Sequence, residues 1–118
     1  MGTIQSFTDL IAWREAHKLV LGVYGITKIF PKEEQFGLSS QMRRAGVSVS
    51  SNIAEGYGRQ YDKEYKQFLY IALGSLAELE TQTILSEELG FLKNDQSNNL
   101  KSNINELNKM ITGLIKCL

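Results

Sequence analysis

Residues 38–62 read LSSQMRRAGVSVSSNIAEGYGRQYD, and this stretch holds both faces of one helix and the turn after it. Its apolar side chains recur every three or four residues, which is the period of an α-helix; they are Leu38, Met42, Ala45, Val49 and Ile53. Gly56 and Gly58 tolerate a positive φ, so we expect the helix to end near Gly56. The stretch therefore predicts a helix that buries one face and then turns back.

The same helical period extends to both sides of this stretch. Pro31 ends an earlier helix, over about residues 8–29, because the residue before a proline is disfavoured in the α conformation. The second helix begins near Glu33 or Glu34, where acidic side chains suit the positive end of the helix dipole. A third helix follows an N-cap at Asp62 and runs to about Glu88. A fourth begins near Ser97 and carries the seam Leu100, Ile104, Leu107, Ile111, Leu114 and Leu118.

These four helices predict the fold class. No strand pattern competes with them, and short connections favour antiparallel neighbours, so the chain is expected to be an all-α, up-down-up-down four-helix bundle. Its 118 residues suffice for one hydrophobic core and not for two, which predicts a single domain over residues 1–118.

Composition and charge narrow the function classes. Lysine plus arginine and aspartate plus glutamate number 13 each, so no overall cationic field attracts nucleic acid and any basic site must be local. The single cysteine, Cys117, excludes an internal disulfide and a cysteine-based zinc cluster. Residues 1–10 lack the pattern of a secretion signal, and no apolar run reaches the roughly 20 residues of a membrane span. We therefore expect a cytoplasmic protein.

The second helix carries a polar stripe that is separate from its apolar face. At 100° per residue the stripe falls within about a quarter of the helical circle; its members are Gln41, Arg44, Ser48, Ser51 and Glu55. Small serines permit close helix approach, and the charged members could bond across to another chain, so the stripe predicts an oligomer interface. The first helix supports this, because its apolar residues cover more than one core contact uses. The alternative is a broad core-facing helix within one subunit.

Basic residues are densest around the turn between the second and third helices. The predicted nucleic-acid-binding residues are Arg43, Arg59, Lys63 and Lys66, with Arg44 beside them and Tyr57, Tyr61 and Tyr65 interleaved. Arginine matches phosphate with a planar donor fork, and tyrosine rings stack on unpaired bases, so RNA or single-stranded DNA is the expected ligand. In the alternative, these cations pair with Glu34, Glu55 and Glu64.

Catalysis is not predicted. His17 is the only histidine, and Ser48, Ser51 and Glu55 are its only conceivable partners. The chain has no Gly-rich phosphate loop, no nucleophile elbow and no metal-ligand spacing, and Glu78 and Glu80 fall on different helix faces. We therefore expect no enzyme activity, no metal and no cofactor, and interpret His17 as a partly buried structural residue.

A series of motifs between Phe7 and Leu92 resembles a known family. The W-x3-H element, Q-x-R-R-A, S-N-I-A-E-G-x-G-R and A-L-G-S-x-x-E-L-E-T occur in the order seen in the four-helix-bundle proteins encoded in intervening sequences of bacterial 23S ribosomal RNA genes. The matching positions are Trp13, His17, Gln41, Arg43, Arg44, Asn52, Glu55, Gly56, Arg59, Gly74, Ser75, Glu78 and Glu80.

The resemblance implies a homopentameric ring without enzymatic activity. The fold is also similar to that of accessory proteins of diversity-generating retroelements, which partner a reverse transcriptase and nucleic acid. The leading hypothesis is thus a cytoplasmic homo-oligomer that binds RNA, single-stranded nucleic acid or a nucleic-acid-processing protein. The alternative is an oligomeric protein-interaction scaffold without direct nucleic-acid contact.

Overall fold

The computed structural model describes residues 3–118 and contains four α-helices. They are α1 (Ile11–Thr27), α2 (Leu38–Tyr57), α3 (Asp62–Glu88) and α4 (Asn94–Lys116), with 3-10 turns at Phe7–Asp9 and Lys32–Glu34. No strand occurs over residues 3–118. The all-α prediction is confirmed.

Each helix packs against two others, so that the four form a closed cycle: α1 contacts α2 and α4, and α3 contacts α2 and α4. The α1 and α2 helices run antiparallel, because Thr27 at the end of α1 bonds Arg43 near the start of α2. The α2 and α3 helices are also antiparallel, since residues near the end of α2 meet the first turns of α3. The resulting bundle measures 43 × 26 × 20 Å.

The core lies along the shared axis of the helices and uses the predicted apolar faces. On α2 all five predicted residues are buried, from Leu38 to Ile53. The central core residues of the other helices are Ala16, Leu19 and Val23 from α1, Leu69, Ala72, Leu76 and Leu79 from α3, and Leu100, Ile104, Leu107 and Ile111 from α4. The 3.6-residue period therefore identified the buried side of α2 and, from Leu100 to Ile111, that of α4.

The first helix is shorter at both ends than predicted. Its expected start is occupied by a separate 3-10 turn, in which the carboxylate of Asp9 accepts hydrogen bonds from the backbone N–H groups of Gln5 and Ser6. Leu10 is extended, so α1 begins at Ile11. At the other end Thr27 donates its hydroxyl to the carbonyl of Val23, and α1 stops there. The apolar pattern does not show these limits, because they follow from the Asp9 turn and the extended Leu10 on one side and from the end of the helix at Thr27 on the other.

The second helix begins four residues after Glu34, at Leu38. Glu34 lies in the preceding 3-10 turn, and its carboxylate accepts a hydrogen bond at 3.0 Å from the backbone N–H of Leu38. The acidic residue serves the helix N-terminus as expected, but from the preceding turn instead of from inside the helix.

Gly56 is inside α2, so the expected positive φ at this glycine was wrong. Gly58 ends the helix with a right-handed φ of −78°, and Gly90 is the positive-φ residue of the described chain, at 84°. Gly56 is needed for space: a Cβ there would lie 2.9 Å from both Cβ of Phe68 and Cδ1 of Tyr65. Contact between helices α2 and α3, and not turn geometry, therefore requires glycine at this position.

The fourth helix starts at Asn94, three residues before the predicted Ser97. The side-chain oxygen of Gln96 accepts a hydrogen bond from the backbone N–H of Lys93 and caps this end. Ser97 is fully buried against the end of α3, where Asn94 donates to the Glu87 carboxylate at 2.8 Å. These contacts fasten α4 to α3 across the Gly90 turn.

This fastening makes stability depend on pH. The nearby Ser97 hydroxyl and the hydrogen bond from Asn94, helped by the charge of Lys101 at 3.9 Å, hold the pKa of the Glu87 carboxyl below its ordinary 4.5. A lowered carboxyl pKa adds stability above the unfolded pKa, and this is lost as pH falls through the folded pKa. We expect Glu87→Gln to lower the melting temperature at neutral pH and to show a smaller further loss below about pH 4.5 than wild type. Calorimetry between pH 7 and 3 measures both, with exposed Glu88→Gln as the matched control; equal slopes for wild type and Glu87→Gln would contradict the prediction.

Candidate nucleic-acid and assembly surfaces

At the turn between α2 and α3, the Arg59 guanidinium already contacts two side chains of the same chain. It lies 3.4 Å from the Glu55 carboxylate and 4.6 Å from the ring centroid of Phe68. The Arg59 side chain is 44% exposed, and an exposed i,i+4 pair is worth only a few tenths of a kcal/mol. Arg59 can therefore still donate to an anion, although its position is fixed by Phe68.

Lys63 and Lys66 follow on the first two turns of α3. Lys63 is exposed and Lys66 half-buried, and over residues 3–118 neither amine lies within 4.0 Å of a carboxylate. The flanking acids Asp62 and Glu64 point about 100° to either side of Lys63 around the helix. These two lysines are thus the most available cations near the turn.

The tyrosines near the turn have different roles. Tyr57 and Tyr65 pack edge to face, with their ring centroids 6.4 Å apart, and both are half-buried against the core. This burial raises the pKa of the Tyr65 hydroxyl. Tyr61 is 62% exposed, and Tyr70, which the sequence reasoning did not single out, is 59% exposed. The sequence held one indication of Tyr70: it follows Lys66 by four residues and Lys63 by seven, and this spacing places all three on one side of a helix.

Arg43 does not belong to this surface. Its Nε donates to the Thr27 hydroxyl at 2.9 Å, and its guanidinium lies 4.6 Å from the ring centroid of Tyr24. Fourteen helical residues separate Arg43 from Tyr57, a distance of about 21 Å along α2. The single basic neighbourhood expected from sequence is therefore two surfaces, one at each end of α2.

The second surface is a shallow groove between α1 and α2, which we call the α1–α2 groove. Its apolar members are unusually open: Phe36 is 89% exposed, and Tyr24 and Val47 about two-fifths. The complete lining is Tyr24, Gln35, Phe36, Ser40, Arg43, Arg44, Val47 and Ser48. It combines aromatic, aliphatic and cationic groups.

The polar stripe of α2 lies beside this groove, and four of its five members are exposed. These are Gln41, Arg44, Ser51 and Glu55. Ser48 differs, because its hydroxyl accepts hydrogen bonds from the Ser75 hydroxyl of α3 at 2.8 Å and from the Asn52 amide. Ser48 therefore joins α2 to α3 within one chain, and the other four remain predicted contacts to another copy.

His17 is exposed and stacks on Trp13 with ring centroids 4.9 Å apart, so its expected partial burial was wrong. One turn of α1 separates the two residues, which brings the rings face to face. Across residues 3–118 no three His, Cys, Asp or Glu side chains gather in a way that could hold a metal ion. No described helix has the length and hydropathy needed to cross a membrane.

Comparison with known families identifies this arrangement of helices and motifs. A family profile described as "23S rRNA-intervening sequence protein" matches residues 8–113, which is nearly the whole chain. The chain belongs to the 23S rRNA-intervening sequence protein family. The match extends from before α1 into α4, whereas the motifs named above end before α4.

A solved structure shares the fold of this 23S rRNA-intervening sequence protein. It is a protein of unknown function from the S23 ribosomal protein family of Bacteroides thetaiotaomicron, with a TM-score of 0.81 and 22% sequence identity. The alignment covers 90% of this chain and 99% of that one. The comparison with curated proteins gives no match.

Proposed function

We propose that this chain is a non-catalytic cytoplasmic protein that assembles with copies of itself and binds single-stranded RNA at the α2–α3 turn. Arg59, Lys63 and Lys66 would contact phosphates. The observation that carries the proposal is the pair of cations on α3, Lys63 and Lys66, that have no ion pair over residues 3–118. The family's link to 23S rRNA intervening sequences adds support for an RNA ligand.

Assembly would supply what one subunit lacks. The chain has no net charge, so three cations on a monomer give a weak field. Repeating the turn around a ring, a pentamer by resemblance, would place several copies along one RNA strand and raise affinity through multivalency. The exposed apolar side chains of the α1–α2 groove are a surface that a second copy could cover.

The alternative, a protein-interaction scaffold without RNA contact, is also favoured by one observation. Two of the three arginines near α2 are engaged within the chain: Arg43 by Thr27 and Tyr24, and Arg59 by Glu55 and Phe68. Arg44 has no ion pair among the described residues and borders the apolar groove, where it suits a protein partner or a nucleic-acid-processing enzyme.

The salt dependence of RNA binding separates the two functions. Each phosphate contact releases counterions and contributes roughly 0.7 to the slope of log affinity against log salt for a single strand. We expect Lys63→Gln and Lys66→Gln each to flatten the slope by about this amount, without sequence preference. Titration of a fluorescent single-stranded RNA at several salt concentrations measures it. The lysines give a cleaner result than Arg59→Ala, which also removes packing on Phe68.

Lys93→Gln is the matched control, because Lys93 is an exposed lysine just before α4, at the end of α3 far from the turn. It should leave the slope unchanged. Each variant is sized first, so that a change of assembly is not taken for a lost contact. If wild type shows no salt-dependent binding at low ionic strength, RNA recognition is wrong and the scaffold function replaces it.

A further inference from the structure

Tyr70 stands alone as an exposed aromatic ring in the middle of α3. Leu69, Ala72 and Leu76 of the same helix are fully buried and form its core face, so Tyr70 lies on the opposite side. With 59% of its surface exposed, the ring makes no aromatic pair among residues 3–118. Tyr70 belongs neither to the core nor to the partly buried side chains packed against it.

Tyr70 shares its face with the two free lysines. At 100° per residue Lys63 and Lys66 fall within about 40° of Tyr70 around the helix, whereas Asp62, Glu64 and Glu78 fall about 80° or more away. We call the strip of helix surface within about 40° of Tyr70 the Tyr70 strip. From the start of α3 to Thr81 the Tyr70 strip carries no acidic side chain. The Tyr70 ring beside Lys63 and Lys66, with no carboxylate on the same strip, suits a ligand with phosphates and flat bases.

Gly74 leaves one side of the Tyr70 ring open. A side chain four residues later leans back toward the preceding turn and would cover Tyr70, but glycine has none. The fold does not require this glycine, since its φ is not positive and a Cβ there would meet no atom within 4 Å. An exposed glycine inside a helix also costs stability relative to alanine. Its effect here is to keep the ring accessible.

We propose that Tyr70 stacks on an unpaired base of the RNA strand whose phosphates Lys63 and Lys66 hold. The proposal rests on the RNA-binding function above and adds a base contact to it. The phosphates would lie toward the start of α3, where Tyr70 leans, and the base would lie against the face left open by Gly74. Every base has a flat face, so the contact gives affinity without sequence preference.

Binding of two matched probes tests the stack: a single-stranded RNA and an abasic ribose–phosphate strand of the same length. Tyr70→Ala should weaken RNA binding roughly 5- to 150-fold, the usual effect of losing one base–aromatic stack, and leave the salt slope unchanged. It should not alter binding of the abasic strand. Tyr70→Phe keeps the ring and should bind RNA like wild type, while Gly74→Leu should act like Tyr70→Ala by covering the ring.

Ile71→Ala is the control, because Ile71 directly follows Tyr70 and is 51% exposed. It lies about 100° from Tyr70 around the helix and so outside the Tyr70 strip. Equal RNA affinities for wild type and Tyr70→Ala, with Lys63→Gln still flattening the slope, would overturn the stack and leave the RNA function standing. Equal losses for both probes would also overturn it, and a changed mass would then place Tyr70 between copies. If wild type binds neither probe, the RNA function fails and the stack fails with it.

Discussion

Gly56→Val is expected to destabilise the fold more than any substitution on the surface. A Cβ at this position would lie 2.9 Å from carbon atoms of Phe68 and Tyr65 and 3.2 Å from the carbonyl oxygen of Tyr65. The Cβ of Phe68 and the Tyr65 carbonyl cannot move without moving α3, so the two helices must separate. Overpacking of this kind costs about 1 to 3 kcal/mol, and the two further methyl groups of valine add to it. Thermal or urea unfolding followed by circular dichroism measures the loss.

Gly22→Ala provides a matched control with the opposite sign. Gly22 is an exposed glycine inside α1, and a Cβ there meets no atom within 4 Å. Alanine should therefore stabilise the protein by about 0.5 to 1 kcal/mol through the lower entropy of the unfolded chain. An unchanged melting temperature for Gly56→Val would show that α2 and α3 do not approach as closely as the structure has them.

Loss of assembly is the second large effect, and it is expected from an aspartate in the α1–α2 groove. If this groove is the contact between copies, Phe36→Asp and Val47→Asp each place a charge in an interface from which water is excluded. Buried aromatic anchors of interfaces commonly contribute about 2 kcal/mol or more, so we expect dissociation constants to rise at least roughly 30-fold. Light scattering coupled to size-exclusion chromatography at micromolar concentration should show the mass fall toward that of the 13.3 kDa monomer.

Ile11→Asp is the control for assembly, since Ile11 is 68% exposed at the opposite end of α1. It should leave the mass unchanged. A fall in mass for Ile11→Asp and not for Phe36→Asp would move the contact to the other end of the bundle. A monomeric wild type would remove self-assembly, and with it the argument that a ring concentrates the basic turns.

The helices and their buried faces could be predicted because burial repeats with the helical period over many residues. Five of five predicted core residues on α2 are buried, and α3 begins at Asp62, one residue before the start expected from an N-cap there, and ends at Glu88 as expected. Helix ends were less predictable, because single side chains decide them. Asp9 forms a separate turn, Glu34 caps α2 from the preceding turn, and Gln96 starts α4 early.

The candidate sites were harder to predict, because they depend on distances between residues that are close in sequence and far apart in space. Arg43 and Arg59 are sixteen positions apart, yet Arg43 lies near the start of the straight helix α2 and Arg59 lies in the turn after its end. Gly56 was assigned to a turn, since its need for space appears only once α3 is packed against α2. Tyr70 follows other apolar residues of α3 at a spacing that a core residue could also have. Only its exposure in the folded chain distinguishes it from the core residues.

The cyclic packing of the helices also determines how the chain folds. Contacts between α1 and α2, α2 and α3, and α3 and α4 join neighbours along the sequence, and only the contact between α1 and α4 closes a long loop. Chains dominated by such local contacts fold within about microseconds to milliseconds, because little loop entropy is lost before contacts form. The α2–α3 hairpin has the most extensive packing of any pair and includes the close approach at Gly56. We therefore expect this hairpin to form the folding nucleus, with α4 docking onto α1 as the last step.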